Sequence, residues 1–169
     1  MSCQDLANLS SSCYTWHVPR ATQLGEGYRG PSGPTGYLLR QLIHAFHTTQ
    51  EQGLRPYGLN SPQFGALFVL DHEPGLSSAD LARAMGVTPQ AANLLVTAME
   101  REGLVRREPH PTHKRVLETY PTDEGLRRMR AAKAFIGDLE ERLMDGLGPA
   151  ERDFIHRWLV AAAQAAGSG

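Results

Sequence analysis

Apolar positions recur along this chain at helical spacing in some stretches and at strand spacing in others, and the switches between the two divide it into elements. From Thr35 to about Arg55 the repeat of Leu39, Leu42, Ile43 and Phe46 predicts a helix with one apolar face, ended by Gly53 and Pro56. A second helix opens with Ser61 as cap and Pro62 at the first helical position, where a missing N–H costs nothing, and turns Phe64, Leu67, Phe68 and Leu70 inward until Pro74-Gly75 stops it. Ser77 with Asp80 three residues on is a capping-box signature for a third helix that buries Leu81, Ala82 and Met85. Gly86 supplies a tight turn, Thr88 and Pro89 open a fourth helix, and there Ala92, Leu95, Val96 and Met99 fall at i, i+3, i+4 and i+7. Gly103 ends it with a residue tolerant of positive φ.

The period then shortens. Leu104–Glu108 and Arg115–Tyr120 read as strands, separated by Pro109-His110-Pro111-Thr112-His113-Lys114, which suits a hairpin tip. Thr122 caps a long helix whose Met129, Ala132, Ile136, Leu139 and Leu143 alternate steps of three and four, the spacing of a coiled-coil seam. A last helix from Pro149 buries Phe154, Ile155, Trp158, Leu159 and Ala162. The expected fold is mainly α with a small β-wing. The flanking helices carry more apolar surface than a domain of this size covers alone, which predicts a homodimer interlocked through the first helix and the last two.

Two capped helices joined by a tight turn, followed by a basic hairpin, form a winged helix-turn-helix, a unit that holds one helix against a nucleic-acid groove. On the fourth helix Thr88, Pro89, Gln90, Asn93, Leu94, Thr97 and Arg101 form the expected reading segment, with His113, Lys114 and Arg115 at the wing tip placed to reach phosphates or a neighbouring minor groove. The competing reading makes the hairpin a three-stranded edge that closes the core, with a solvated basic loop. The net charge of −1 predicts few phosphate contacts and a shallow salt dependence, although Arg101, Arg106, Arg107, Lys114 and Arg115 cluster locally.

Length and composition narrow the classes further. With 169 residues and 41% hydrophobic content the chain supports one core. No apolar run approaches the length of a membrane span and no signal-peptide pattern opens the chain, so a cytoplasmic protein is expected. Residues 1–35 are rich in Ser, Gly and Pro and read as an irregular arm, which Tyr14, Trp16 and Tyr28 could dock. Cys3 and Cys13 in that arm form neither a disulfide framework nor a zinc pair; an oxidisable thiol there leaves a redox-responsive regulator as an alternative. No nucleophile elbow or phosphate loop points to an enzyme or to a cofactor.

The polar side of the first helix is unusual. Arg40, His44, His47 and Glu51 fall at i, i+4, i+7 and i+11, which describes either a solvated Arg/His/Glu face or an anion pocket; a metal site lacks an evident third ligand.

The order of a long helix, Leu59-Asn60-Ser61-Pro62-Gln63-Phe64, the helix-turn-helix ending in Glu100-Arg101-Glu102-Gly103-Leu104-Val105-Arg106, a hairpin, and Tyr120-Pro121-Thr122-Asp123-Glu124-Gly125 resembles the MarR family of bacterial transcription regulators over residues 36–163. The resemblance implies a homodimer that binds a palindromic operator, as a repressor, through recognition helices in successive major grooves, with release by aromatic or phenolic anions. It implies dimerisation helices in 36–58 and 123–166, a DNA-binding domain in 59–122, and an effector pocket near Arg40, His44, His47, Tyr57, Phe64 and Phe68. A winged-helix protein-interaction module is the alternative. Two departures stand out: His113 occupies the place of a carboxylate that orients the wing arginine, here Arg115, which implies either weaker wing insertion or a pH-sensitive one, and Leu94 and Ala98 stand where relatives present basic side chains. The redox branch of the family carries its sensing cysteine in the first helix, where this chain has Gly36 and Tyr37.

Overall fold

Six helices and three short strands account for the computed structural model, which describes residues 22–113 and 115–167. The expectations for Cys3, Cys13, Tyr14, Trp16 and Lys114 lie outside the described residues. The helices are α1 (Thr35–Leu54), α2 (Ser61–His72), α3 (Ser78–Met85), α4 (Pro89–Arg101), α5 (Asp123–Leu143) and α6 (Pro149–Gly167); the strands are β1 (Leu76–Ser77), β2 (Val105–Pro109) and β3 (Leu117–Pro121). By internal contacts the chain falls into two compact units, one up to Ile43 and one from His44 onward.

In the first unit the end of the arm is organised around Arg29, which closes a 3-10 turn (Gly27–Arg29) and donates to the Thr22 carbonyl at 2.7 Å and to Gln41 Oε1 at 3.2 Å. Tyr28 meets Tyr37 edge-on at 5.5 Å. Leu42 and Ile43, on the apolar face of the first helix, are 47% and 55% exposed.

The second unit holds the core. Leu54, Leu67, Leu70, Leu81, Met99, Leu104 and Met129 are fully buried, each contributing roughly 1.5–3 kcal/mol of transfer free energy. The cap of α2 is Asn60 rather than Ser61: its side chain accepts from the Gln63 N–H at 2.9 Å while Gln63 Oε1 accepts from the Asn60 N–H at 3.1 Å. This reciprocal box outcompetes a lone serine and moves Pro62 to the second helical position. Ser61 is tied instead through its N–H, which donates to Glu51 Oε2 at 2.9 Å.

The sheet is antiparallel in the order β1-β3-β2, with Leu76 opposite Thr119 and Arg107 also opposite Thr119 from the other side. Arg115 and Val116 belong to the turn and not to the strand as expected, because Val116 N–H donates to the His113 carbonyl at 2.7 Å and its own carbonyl accepts from His110 at 2.9 Å.

Two expectations about the flanking helices are corrected. The α5 stripe is not an open seam: Met129, Ala132, Ile136 and Leu139 are buried within the same chain, the first three in the core cluster, and only Leu143 is exposed. Conversely α6 buries none of its residues, and Phe154 and Trp158 are 61% and 38% exposed. Its start is anchored by Arg152, which donates to the Met144 and Leu147 carbonyls and to Glu141; Ile155 and Ala162 are half-buried, while Phe154, Trp158 and Leu159 stay exposed.

The start of α5 yields a pH prediction. Glu124 accepts from Arg127 and Arg128, each at 2.7 Å, and these bonds hold its carboxyl at about 2, against an ordinary value of 4.5. A carboxyl depressed in the folded state stabilises above its unfolded value and loses that contribution as pH falls toward the folded one. Glu124→Gln should therefore melt below the wild type at neutral pH, and the gap should close in acid between 4.5 and about 2; a gap of constant size across that range would show that the ion pairs contribute nothing.

Candidate functional site

The turn between α3 and α4 is built by Gly86, at φ 66°, followed by Val87, whose N–H returns to the Ala82 carbonyl at 3.0 Å. Thr88 caps α4 by accepting from the Ala91 N–H at 3.2 Å, with Pro89 at the first helical position. Ala92, Val96 and Met99 are fully buried and fix the rotation of the helix, so Thr88, Pro89, Gln90, Asn93, Leu94 and Arg101 all face solvent. Thr97 differs: it is half-buried, and its hydroxyl donates to the Asn93 carbonyl at 2.8 Å.

The wing is less basic than its sequence. Arg107 donates to Glu100, Nε at 2.9 Å, tying β2 to α4 and holding the Glu100 carboxyl below its usual range. Arg106 pairs with Glu108 and lies over the Tyr120 ring at 4.8 Å. Arg101 and Arg115 are exposed and have no ion-pair partner among the described residues. At the tip the organising imidazole is His110 and not His113. His110 Nδ1 accepts from the N–H groups of Thr112 and His113, both at 3.1 Å, which places the neutral ring's proton on Nε2, 3.7 Å from Glu118 Oε1. Tyr120 donates its hydroxyl to the other Glu118 oxygen at 2.8 Å. His113 is exposed, with its ring centre 5.2 Å from that of His110.

Beside α2 lie two adjoining clefts. One, of about 400 Å³, is walled by Phe46, Gln50, Phe64, Phe68, Ile136 and Lys133, with Glu140 also at its edge. The other, of about 590 Å³, shares Phe46, Gln50, Gly65 and Phe68 and runs to His47, Met85 and Val87, the residue before the α4 cap. Of the effector residues predicted from sequence, His47, Phe64 and Phe68 come together here. Tyr57 does not; it lines a separate recess with Arg127 and Arg128. His44 is exposed and borders neither cleft, and Arg40, in the first unit, lies over the Tyr37 ring at 5.6 Å. Phe68, predicted to pack inward, is 48% exposed because it forms the wall between the two clefts.

Sequence reasoning missed Gln50 and Lys133. Gln50 is 8% exposed, and its spacing from Phe46 and Leu54 puts it on the buried face of α1. Lys133 stands four residues after Met129 and three before Ile136, the same face of α5; its ammonium lies 4.0 Å from Asp71 and its side chain is half exposed. Both spacings were available signals.

A sequence profile described as the MarR family matches residues 57–116. The HTH-type transcriptional repressor Rv2887 of Mycobacterium tuberculosis is 35% identical over 122 residues, which covers 72% of this chain and 88% of that protein. The chain belongs to the MarR family. A solved MarR-family structure agrees: Rv2887 in complex with p-aminosalicylic acid is 31% identical with a TM-score of 0.61, over 78% of this chain and 99% of that one. The transcriptional repressor CouR bound to a 23-mer DNA duplex is 27% identical with a TM-score of 0.70, over 77% and 92%. As a MarR-family member this is a winged helix-turn-helix, DNA-binding regulator of transcription and not an enzyme. Among the described residues no helix is long and apolar enough to cross a membrane.

Proposed function

We propose that this regulator is a repressor that binds a palindromic operator as a homodimer and lets go of it when an aromatic carboxylate or phenolic anion occupies the clefts beside α2. The observation that carries the reading is the outward stripe of α4, capped by Thr88 and locked in rotation by Ala92, Val96 and Met99, with free amides at Gln90 and Asn93. Such amides can pair with adenine edges. The wing tip, with His113, Lys114 and Arg115, adds phosphate contacts on this reading. CouR was solved on a duplex, and Rv2887, a named repressor, was solved with salicylic acid as well as with p-aminosalicylic acid.

The exposed side of α6 favours a second copy as its cover, in keeping with dimerisation segments in 36–58 and 123–166 around a DNA-binding domain in 59–122, with 1–35 as an arm. A regulator of this kind works in the cytoplasm, where its operator is. For the effector, Phe64 and Phe68 offer ring faces and Lys133 a cation that Asp71 holds only loosely. A ligand reaching from Phe68 to Val87 presses on the turn that positions α4, which is a direct route from occupancy to a displaced reading helix.

The test is fluorescence anisotropy on a duplex selected from a random library, titrated with salicylate as probe. Bound duplex should be released, and Lys133→Ala should raise the salicylate needed by roughly tenfold, the usual weight of one charge-assisted hydrogen bond. Failure to select any duplex at low salt would refute the operator reading; a selected duplex indifferent to aromatic acids would refute the effector reading.

A further inference from the structure

On α4, Gln90, Leu94, Thr97 and Arg101 stand at i, i+4, i+7 and i+11, so the outward stripe has a leucine near its centre. Leu94 is 65% exposed, with no apolar cover, between an amide and a guanidinium. The neighbouring Thr97 has spent its hydroxyl proton on the Asn93 carbonyl. A leucine here can neither reach a phosphate with charge nor exchange a hydrogen bond with a base edge. What the major groove offers such a side chain is the 5-methyl group of thymine, the one apolar projection on a base edge.

We propose that Leu94 reads a thymine 5-methyl group in each operator half-site, a specificity contact that rests on the DNA-binding reading given above. The methyl slides against the leucine side chain while Gln90 and Asn93 pair with flanking edges. The contact adds no charge to the reading face and depends on base identity. Affinity is thereby shifted from sequence-independent to sequence-dependent terms.

The experiment uses the full chain and a duplex enriched from a random library. Each thymine is replaced in turn by deoxyuridine, which removes the 5-methyl and leaves base pairing intact. One thymine per half-site should show a loss of roughly fourfold, the scale of one buried methyl group. Leu94→Ala, an exposed helical position that alanine tolerates, should bind the unmodified duplex more weakly and be indifferent to deoxyuridine at that thymine alone. An enriched duplex whose binding ignores every thymine methyl, or a deoxyuridine penalty that persists in Leu94→Ala, would overturn the proposal while leaving the operator reading standing. Failure to enrich any duplex would overturn both. If Leu94→Ala changes the oligomeric state in sedimentation and methyl removal has no effect, the leucine belongs to a protein contact and the proposal is likewise overturned.

Discussion

A chain carrying Gln90→Ala and Asn93→Ala together is expected to keep its fold and to lose its choice of operator. Both side chains are exposed, neither is given a partner within the helix, and alanine is the best helix former, so α4 should be unharmed or slightly firmer. Each amide that pairs with an adenine edge is worth about 1–3 kcal/mol of discrimination. Losing two per half-site should cut the ratio of selected to scrambled duplex affinity by on the order of a hundredfold or more. Binding to scrambled duplex should hardly change, because phosphate contacts fix register without reading sequence. Measuring both affinities at one salt concentration decides the matter: a preserved ratio would mean that these amides do not read the operator.

Gly125→Ala should unfold the protein more readily, against the ordinary sign of such a change. In a helix a glycine costs about 1 kcal/mol relative to alanine. At Gly137, also on α5, an added Cβ meets nothing, and alanine should raise the melting temperature. At Gly125 the same Cβ would overlap the Leu104 carbonyl oxygen and come within 2.9 Å of Leu67 Cδ2. That carbonyl cannot retreat freely. It accepts from the Thr122 N–H at 3.0 Å, and Thr122 also donates its hydroxyl to the Gly103 carbonyl at 2.6 Å while capping α5. The junction of hairpin and α5 is thus pinned on both sides of the intruding methyl. Overpacking of this kind costs about 3 kcal/mol, a fall of on the order of 10 °C in Tm. A Gly125→Ala protein as stable as the wild type would show that the junction yields.

Local chemistry was readable from the sequence. Ser77, Gly86, Thr88, Pro89, Gly103 and Thr122 act within a few residues of themselves, and the structure places each at the turn or cap its spacing predicts. The cap of α2 was misread because Ser61-Pro62 matches a start signal, and the stronger claim of Asn60 becomes visible only when Gln63 is seen to answer it. Apolar periodicity says that a face needs covering and is silent on what covers it. On α5 the stripe from Met129 to Leu139 is satisfied within the chain, whereas on α6 Phe154 and Trp158 are left open. The clefts were the least legible part. Phe46, Gln50, Phe68 and Lys133 come from three helices far apart in sequence, and only folding makes them neighbours.

The pairing of the wing cations has a bearing on the conditions under which this regulator can work. Arg106 and Arg107 are committed to Glu108 and Glu100, which leaves Arg101 and Arg115 among the described arginines of this segment to displace counterions from a duplex. Each phosphate neutralised adds about 0.9 to the slope of log affinity against log salt. A molecule with two wing cations so engaged takes less of its grip from ion release. Swings in osmotic pressure that load a cell with potassium would then loosen it less than they would a protein whose wing cations all stood unpaired.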